Sequence, residues 1–177
     1  DFRCPHCKMM NEVLHKFVQK NSKEVKLRFH HFPLSGVCNK EIPGSGGPSN
    51  WVCDAALISN CVHSQGKFFE FINEVYENQD RVTKNTLKNY LPPEIDQEKL
   101  DACIKSKSSE WDNIIQDVED GMLIPVQGTP SLLFNGKRME TSFNDCRLRN
   151  LLQQIKKNGL KIYLNIRFAR QRCYFFK

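Results

Sequence analysis

The chain has 177 residues, of which 40% are hydrophobic and 12 are Phe, with 26 Lys and Arg against 20 Asp and Glu for a formal net charge of +6. That length accommodates one domain, or one domain carrying a large insertion, with a core of ordinary size. The basic residues are dispersed apart from a denser patch at Arg167, Arg170 and Arg172; with no nucleic-acid-reading motif, this is a solvated surface and no nucleic acid partner is expected. No stretch approaches the roughly 18 apolar residues of a membrane span. The eight cysteines point to an oxidising compartment or to metal. Asp1-Phe2-Arg3 leads directly into the first motif without a visible signal peptide, as in a processed secreted chain or a clipped fragment.

Cys4-Pro5-His6-Cys7 opens a helix. Pro5 suits a first turn, where its missing N–H is no loss, and Met9, Met10, Val13, Leu14, Phe17 and Val18 follow at helical spacing to about Lys20. Val25, Leu27 and Phe29 alternate with Lys26, Arg28 and His30, which predicts a strand ended by Phe32-Pro33-Leu34. Residues 35 to 50 are a Gly-, Pro- and Ser-rich loop. Trp51 to Val62 is apolar nearly all round, the pattern of a buried helix. Phe68, Phe69, Ile72, Val75 and Tyr76 make a second stripe. Thr83 to Leu91 predicts a short helix stopped by Pro92-Pro93. Asp96 caps a further one carrying Leu100, Cys103 and Ile104, and Ser109 another with Ile114, Val118 and Met122 inward.

Beyond Gly121 the character changes. Val126-Gln127-Gly128-Thr129-Pro130 leads into the apolar Ser131 to Phe134, and Asn135-Gly136 signals a two-residue hairpin with Lys137 to Glu140 returning. Ser142 caps a last helix closed by Gly159. Leu160, Ile162, Leu164, Ile166 and Phe168 then alternate with Lys161, Tyr163, Asn165 and Arg167, a half-buried strand by pattern, before a basic, aromatic tail.

A dithiol at the head of a helix has a chemical purpose. The thiolate is the nucleophile, and free N–H groups with a partial positive charge stabilise it there. Cys4 is expected at the exposed tip, with Cys7 shielded one turn on and able to attack a mixed disulfide on Cys4. Pro5 and His6 tune the pair, His6 by a hydrogen bond or a positive charge beside the Cys4 sulfur. Stabilising the reduced thiolate makes the disulfide a better oxidant. The competing use of a CxxC is half a zinc site; Cys38, Cys53, His30, His31 and His63 could supply further ligands, but no second CxxC or HxxxH follows. Gly128-Thr129-Pro130 is the second constellation. A cis Pro130 would turn the Thr129 backbone toward the dithiol, where it could pair with a substrate backbone; a trans proline in a plain turn is the alternative.

Together these segments resemble the DsbA-like branch of the thioredoxin superfamily. The resemblance lies in FRCPHCK as active site, HFPL and the CN after it as the end of a strand and entry to a helical insertion, AALISNCVHSQGKFFEF within that insertion, and VQGTPSLLFNG as the cis-proline loop and hairpin. It covers about Phe2 to Gly159. It implies an α/β thioredoxin-like fold, residues 1–34 and 123–159, with a loop and helical domain, 35–122, inserted between the βα and ββα halves, and a strand-like tail, 160–177, that the family does not require. It makes Cys4 the nucleophile, Cys7 the resolving cysteine and Thr129-Pro130 the substrate-binding loop. It implies an extracytoplasmic enzyme, periplasmic or cell-envelope, that oxidises or isomerises thiols of folding proteins. No cofactor or metal is implied. A quinone-linked membrane oxidase of the DsbB or vitamin K epoxide reductase type is the expected reoxidant. A zinc-stabilised or redox-inactive peptide-binding module is the alternative function.

The family places a buried central strand immediately before the motif, and here only Asp1-Phe2-Arg3 stands there. The first central strand is therefore expected to be missing. A central strand between two layers should be apolar on both faces, so the alternating Leu160 to Phe168 segment is expected at an edge, leaving a weakened core and a poorly held Cys4. Cys38 and Cys53 are expected to bridge across the Gly/Pro loop. Cys61 and Cys103 fall on inward helix faces, where buried free thiols are the first expectation and a bridge between them the alternative. Cys146 and Cys173 have no evident partner. His15, His30, His31 and His63 read as surface or packing residues, and Phe32 and Trp51 as core.

Overall fold

The computed structural model describes residues 1–43, 51–106, 108–124, 128–139 and 162–167, together with Leu148, Asn150 and Gln153. Residues 44–50 of the Gly/Pro loop, most of the last predicted helix, Cys146, Cys173 and the tail from Phe168 lie outside the described residues. The chain forms two compact units, one of residues 4–30 and 125–177 and the other of residues 1–3 and 31–124.

The first unit holds the sheet. Helix α1 (Pro5–Lys20) buries Cys7, Met10, Leu14 and Phe17, one stripe at helical spacing. It stops at Asn21, whose N–H donates to the Val18 carbonyl and whose side-chain amide donates to the Phe17 carbonyl at 2.8 Å. The Asn21 carbonyl then accepts from Glu24 and Val25, so the chain turns directly into β1 (Val25–Phe29). That strand ends at Phe29, short of the expected Phe32. Strands β2 (Ser131–Phe134) and β3 (Lys137–Arg138) form the expected hairpin. Asn135 and Gly136 between them both have positive φ, 46° and 78°, the conformation a two-residue turn of this kind requires.

The last strand, β4 (Ile162–Arg167), overturns two expectations. It is not at an edge, and it fills the interior position that the lack of a strand before Cys4 was expected to leave empty. The order is β1-β4-β2-β3, with β4 parallel to β1 and antiparallel to β2. Alternation reports what each face of a strand meets, whereas lateral position depends on backbone pairing, which is available on both sides of any strand. β1 shows why an alternating neighbour fits. Its Val25 is buried and its Lys26 and Arg28 are exposed, so one face of the sheet is solvated there. The register sets Val25, Leu27 and Phe29 beside Ile162, Leu164 and Ile166, and Lys26 and Arg28 beside Tyr163 and Asn165. On the other side Leu132 registers with Ile166 and Phe134 with Leu164.

The second unit is helical. α2 (Trp51–His63) is buried along nearly its whole length, and Phe32 is buried as well. Gly66, at φ 74°, ends the turn after α2: the Lys67 N–H reaches the Val62 carbonyl and the Gly66 N–H the His63 carbonyl, a left-handed glycine cap. α3 (Phe68–Glu77) buries Phe68, Phe71, Ile72, Val75 and Tyr76. The helix expected at Thr83 to Leu91 is reduced to a 3-10 turn at Leu87–Tyr90, since Thr83 and Thr86 bond each other's backbone and side chains and hold that stretch in a turn. α4 (Gln97–Ser106) is capped by Asp96, whose carboxylate accepts from Glu98 and Lys99 N–H, both at 3.1 Å. α5 is Ser108–Leu123. Asp1 to Arg3 belong to this unit: the Asp1 carboxylate accepts from Leu34 N–H at 2.6 Å, and Phe2 packs on Tyr76.

Two disulfides tie α2 to other parts of the helical unit. Cys38–Cys53 bridges the loop as expected. Cys61–Cys103 is also a bridge, joining α2 to α4, so the alternative pairing holds in place of the free thiols expected first. Two inward faces on packed helices bring the sulfurs together, which single-helix patterns do not reveal. In the loop-entropy relation the separations of 15 and 42 residues correspond to about 3 and about 4 kcal/mol. Urea denaturation should therefore rank Cys61→Ala/Cys103→Ala as the more destabilised of the two double variants, by about 1 kcal/mol over Cys38→Ala/Cys53→Ala. A second check concerns Gly121, where an added Cβ would stand 2.8 Å from the Phe32 ring. Gly121→Ala should lose about 1–3 kcal/mol by overpacking, and Gly121→Ala/Phe32→Leu should lose less than the sum of the two single changes.

Candidate active site

Cys4 precedes the first residue of α1 in extended conformation, φ −80° and ψ 119°. Its carbonyl accepts the first helical hydrogen bonds, from Cys7 N–H at 3.0 Å and Lys8 N–H at 3.2 Å. Pro5, next in the chain, has no N–H to lose, so the helix starts without an orphaned donor there. The Cys4 thiol is thereby fixed at the head of the helix, half-buried, while Cys7 one turn on is fully buried. Both are free thiols.

The two thiols are held in opposite protonation states. Cys4 is lowered to about 5, chiefly by a hydrogen bond from the Cys7 thiol, against the opposing effect of its own burial. The Thr129 side chain adds in the same direction. Cys7 is pushed well above the usual thiol range, first by burial and then by donating to Cys4. One sulfur is thus an anion near neutral pH and the other retains its proton.

Thr129 is the other half of the site. Its carbonyl accepts from the protonated Cys4 thiol at 3.4 Å, and its side chain favours the thiolate, so the residue has a partner for either form of Cys4. The Thr129–Pro130 peptide bond is cis, and both residues are buried. Ser131 was not singled out from the sequence. Its hydroxyl donates to the Gly128 carbonyl at 2.8 Å, closing the turn that carries Thr129 and Pro130. A small hydroxyl residue directly after the proline was the available signal.

His6 and Pro5 are exposed. His6 makes no hydrogen bond among the described residues, and the leading causes of the low Cys4 pKa lie in Cys7 and Thr129. His31 is buried, with Nε2 3.0 Å from Asn60 Oδ1 and 3.2 Å from Ser59 Oγ, a packing role inside the helical unit. Cys38 and Cys53 are spent on their bridge. No group of three or more His, Cys, Asp or Glu able to hold a metal lies among the described residues, and no helix among them is long and apolar enough to cross a membrane.

A family profile described as thioredoxin matches residues 1–154. The chain belongs to the thioredoxin family. This thioredoxin-family chain is similar to a probable disulfide bond formation protein D of Bacillus anthracis, 24% identical over 83% of the chain and 67% of that protein. The corresponding Bacillus cereus protein is 22% identical over 83% and 68%. The chain is also 26% identical to a Na(+)/H(+) antiporter, NhaA 1, of Mycolicibacterium gilvum, over 78% of its length. The chain spans about a fifth of the length of that antiporter. No solved structure matches it.

The thiolate assignment gives a direct check. Alkylation of reduced protein against pH should show one thiol per chain ionising with a midpoint near 5. Cys7→Ala removes the main source of that shift, so the midpoint should rise by about one unit or more. His6→Ala should move it less. A larger effect from His6→Ala would displace Cys7 as the principal cause.

Proposed function

We propose that this thioredoxin-family chain is a protein thiol–disulfide oxidoreductase acting through Cys4 and Cys7. The observation that carries the reading is the division of labour between the two sulfurs: a half-buried thiolate at the helix head and a buried thiol one turn below it. The oxidising direction uses the Cys4–Cys7 disulfide. A substrate thiolate attacks the accessible Cys4 sulfur, the Cys4–Cys7 bond breaks, and Cys7 leaves as a thiolate that takes up a proton. A second substrate thiolate then attacks the substrate sulfur of the mixed disulfide. Cys4 departs as a thiolate, a good leaving group because its pKa is low. The substrate has lost two electrons and the Cys4/Cys7 pair holds them. In the reducing or isomerising direction Cys4 attacks a substrate disulfide and Cys7 resolves it.

Stabilisation of the Cys4 thiolate favours the reduced protein and therefore supports the oxidising direction over the reducing one. The Thr129 backbone beside Cys4 is suited to pairing with an extended substrate segment. The two structural disulfides favour an extracytoplasmic, periplasmic or cell-envelope setting. There the dithiol requires an electron acceptor, and a quinone-linked membrane oxidase of the DsbB or vitamin K epoxide reductase type fits that chemistry.

Two measurements test the reading. Cys7→Ser treated with glutathione disulfide should accumulate one stable adduct at Cys4, wild type should pass through it to the Cys4–Cys7 disulfide, and Cys4→Ser should form none at Cys7. A Cys4 that forms no adduct in Cys7→Ser refutes the assignment. The equilibrium with glutathione should also follow pH in two regimes. Above pH 5 reduction takes up one proton, because Cys4 stays ionised, so the potential should fall by about 30 mV per pH unit. Below pH 5 two protons are taken up and the slope should approach about 59 mV. A slope of 59 mV across pH 6–8 would mean that both thiols are protonated there and would remove the preference for oxidation.

A further inference from the structure

The two halves of the site are carried by different parts of the sheet. Cys4 rides on α1, which is locked to β1 through Asn21. Thr129 and Pro130 lead directly into β2, whose first residue is Ser131. β1 and β2 are not neighbours: in the sheet order β1-β4-β2-β3, the last strand separates them. The β4 ladder to β1 spans all of β1, from Val25 with Ile162 to Phe29 with Ile166. Its ladder to β2 begins at the residue after Pro130, with Ser131 beside Arg167, and runs to Phe134 beside Leu164. The C-terminal end of β4 therefore registers with the Phe29 end of β1 and with the start of β2, the end of the sheet at which the Thr129 carbonyl meets the Cys4 thiol at 3.4 Å.

We propose that β4 is the positioning element of the dithiol site: a strand supplied by residues 162–167 spaces β1 from β2 and thereby sets the Thr129 turn against Cys4. Cys4 caps the helix that carries Cys7, so their mutual hydrogen bond does not depend on the sheet. The contact of Cys4 with Thr129 does. Loss of β4 should separate the second relation from the first. The inference takes Cys4 and Thr129 as one site, as proposed above. Its readout is thiol titration, not turnover, so its failure is distinguishable from failure of the enzymatic reading.

The test is a double-mutant cycle on the intact chain. Thr129→Val removes the hydroxyl that favours the thiolate, and alkylation of Cys4 at pH 5 should fall about twofold for a half-unit rise in midpoint. Leu164→Pro removes a ladder hydrogen bond from an interior strand. In that background Thr129→Val should have no effect, while Cys7→Ala should still raise the Cys4 midpoint as it does in wild type. An equal Thr129→Val effect with and without Leu164→Pro overturns the proposal. If Leu164→Pro loses its far-UV helical signal, the wild-type chain serves in a low-denaturant series. Amide exchange of residues 162–167 and the Cys4 alkylation rate at pH 5 should then change at the same denaturant concentration. Exchange of β4 with an unchanged alkylation rate overturns the proposal equally.

Discussion

The first turn of α1 is the constraint on which the site depends. Cys4 must keep an extended backbone so that its carbonyl can take the opening helical bonds from Cys7 and Lys8. Once it does, its side chain is committed to the helix head and the Cys7 side chain to the buried face one turn along. Pro5 makes this start inexpensive in hydrogen bonds, because the position it fills has no use for an N–H. The chemistry follows from that local geometry. A buried Cys7 cannot readily ionise, so it donates; a half-buried Cys4 beside that donor ionises readily. Each thiol's state is a cause of the other's, and neither would hold with the two exchanged.

The remainder of the fold meets this turn from a distance in sequence. The residue that faces the Cys4 sulfur lies 125 positions away, at Thr129. A contact between such remote segments is only as fixed as the elements that carry them. α1 is anchored by its apolar stripe and by Asn21, while the Thr129 turn is anchored by the Ser131 hydroxyl on the Gly128 carbonyl and by the strand that follows. The sheet sets the spacing between these anchors, which is why strand order matters to a site that contains no strand residue.

Much of this was legible in the residues. The CPHC motif, the apolar stripe of α1, the Asn-Gly hairpin and the Asp96 cap are local patterns with local physical causes, and they appear where those patterns put them. The Cys38–Cys53 bridge was legible because a loop brings the two positions together by itself. What was not legible depends on which elements become neighbours. Leu160 to Phe168 gave the period of a strand and nothing about its flanks, so the interior position of Ile162–Arg167 between β1 and β2 could not be read from alternation. Cys61 and Cys103 each gave an inward helix face, but their pairing is a property of how α2 lies on α4. The thiolate of Cys4 was legible in kind, whereas its leading cause was sought in His6 and lies in Cys7, whose burial no single-residue pattern states.

Burial also separates the two kinds of sulfur pair in this chain. Cys38, Cys53 and Cys61 are each 3% exposed or less, so three of the four sulfurs in the structural bridges are screened from an attacking thiolate. Exchange requires a nucleophile to approach a disulfide sulfur directly, and its rate also rises with the leaving group's acidity. The Cys4 sulfur combines partial access with a low pKa, and Cys38, Cys53 and Cys61 lack the access. A chain that exchanges electrons at one dithiol while keeping two disulfides intact needs this difference, because all three pairs are made of the same bond. The fold supplies it by burying α2 almost completely and leaving Cys4 only half-buried at the head of α1.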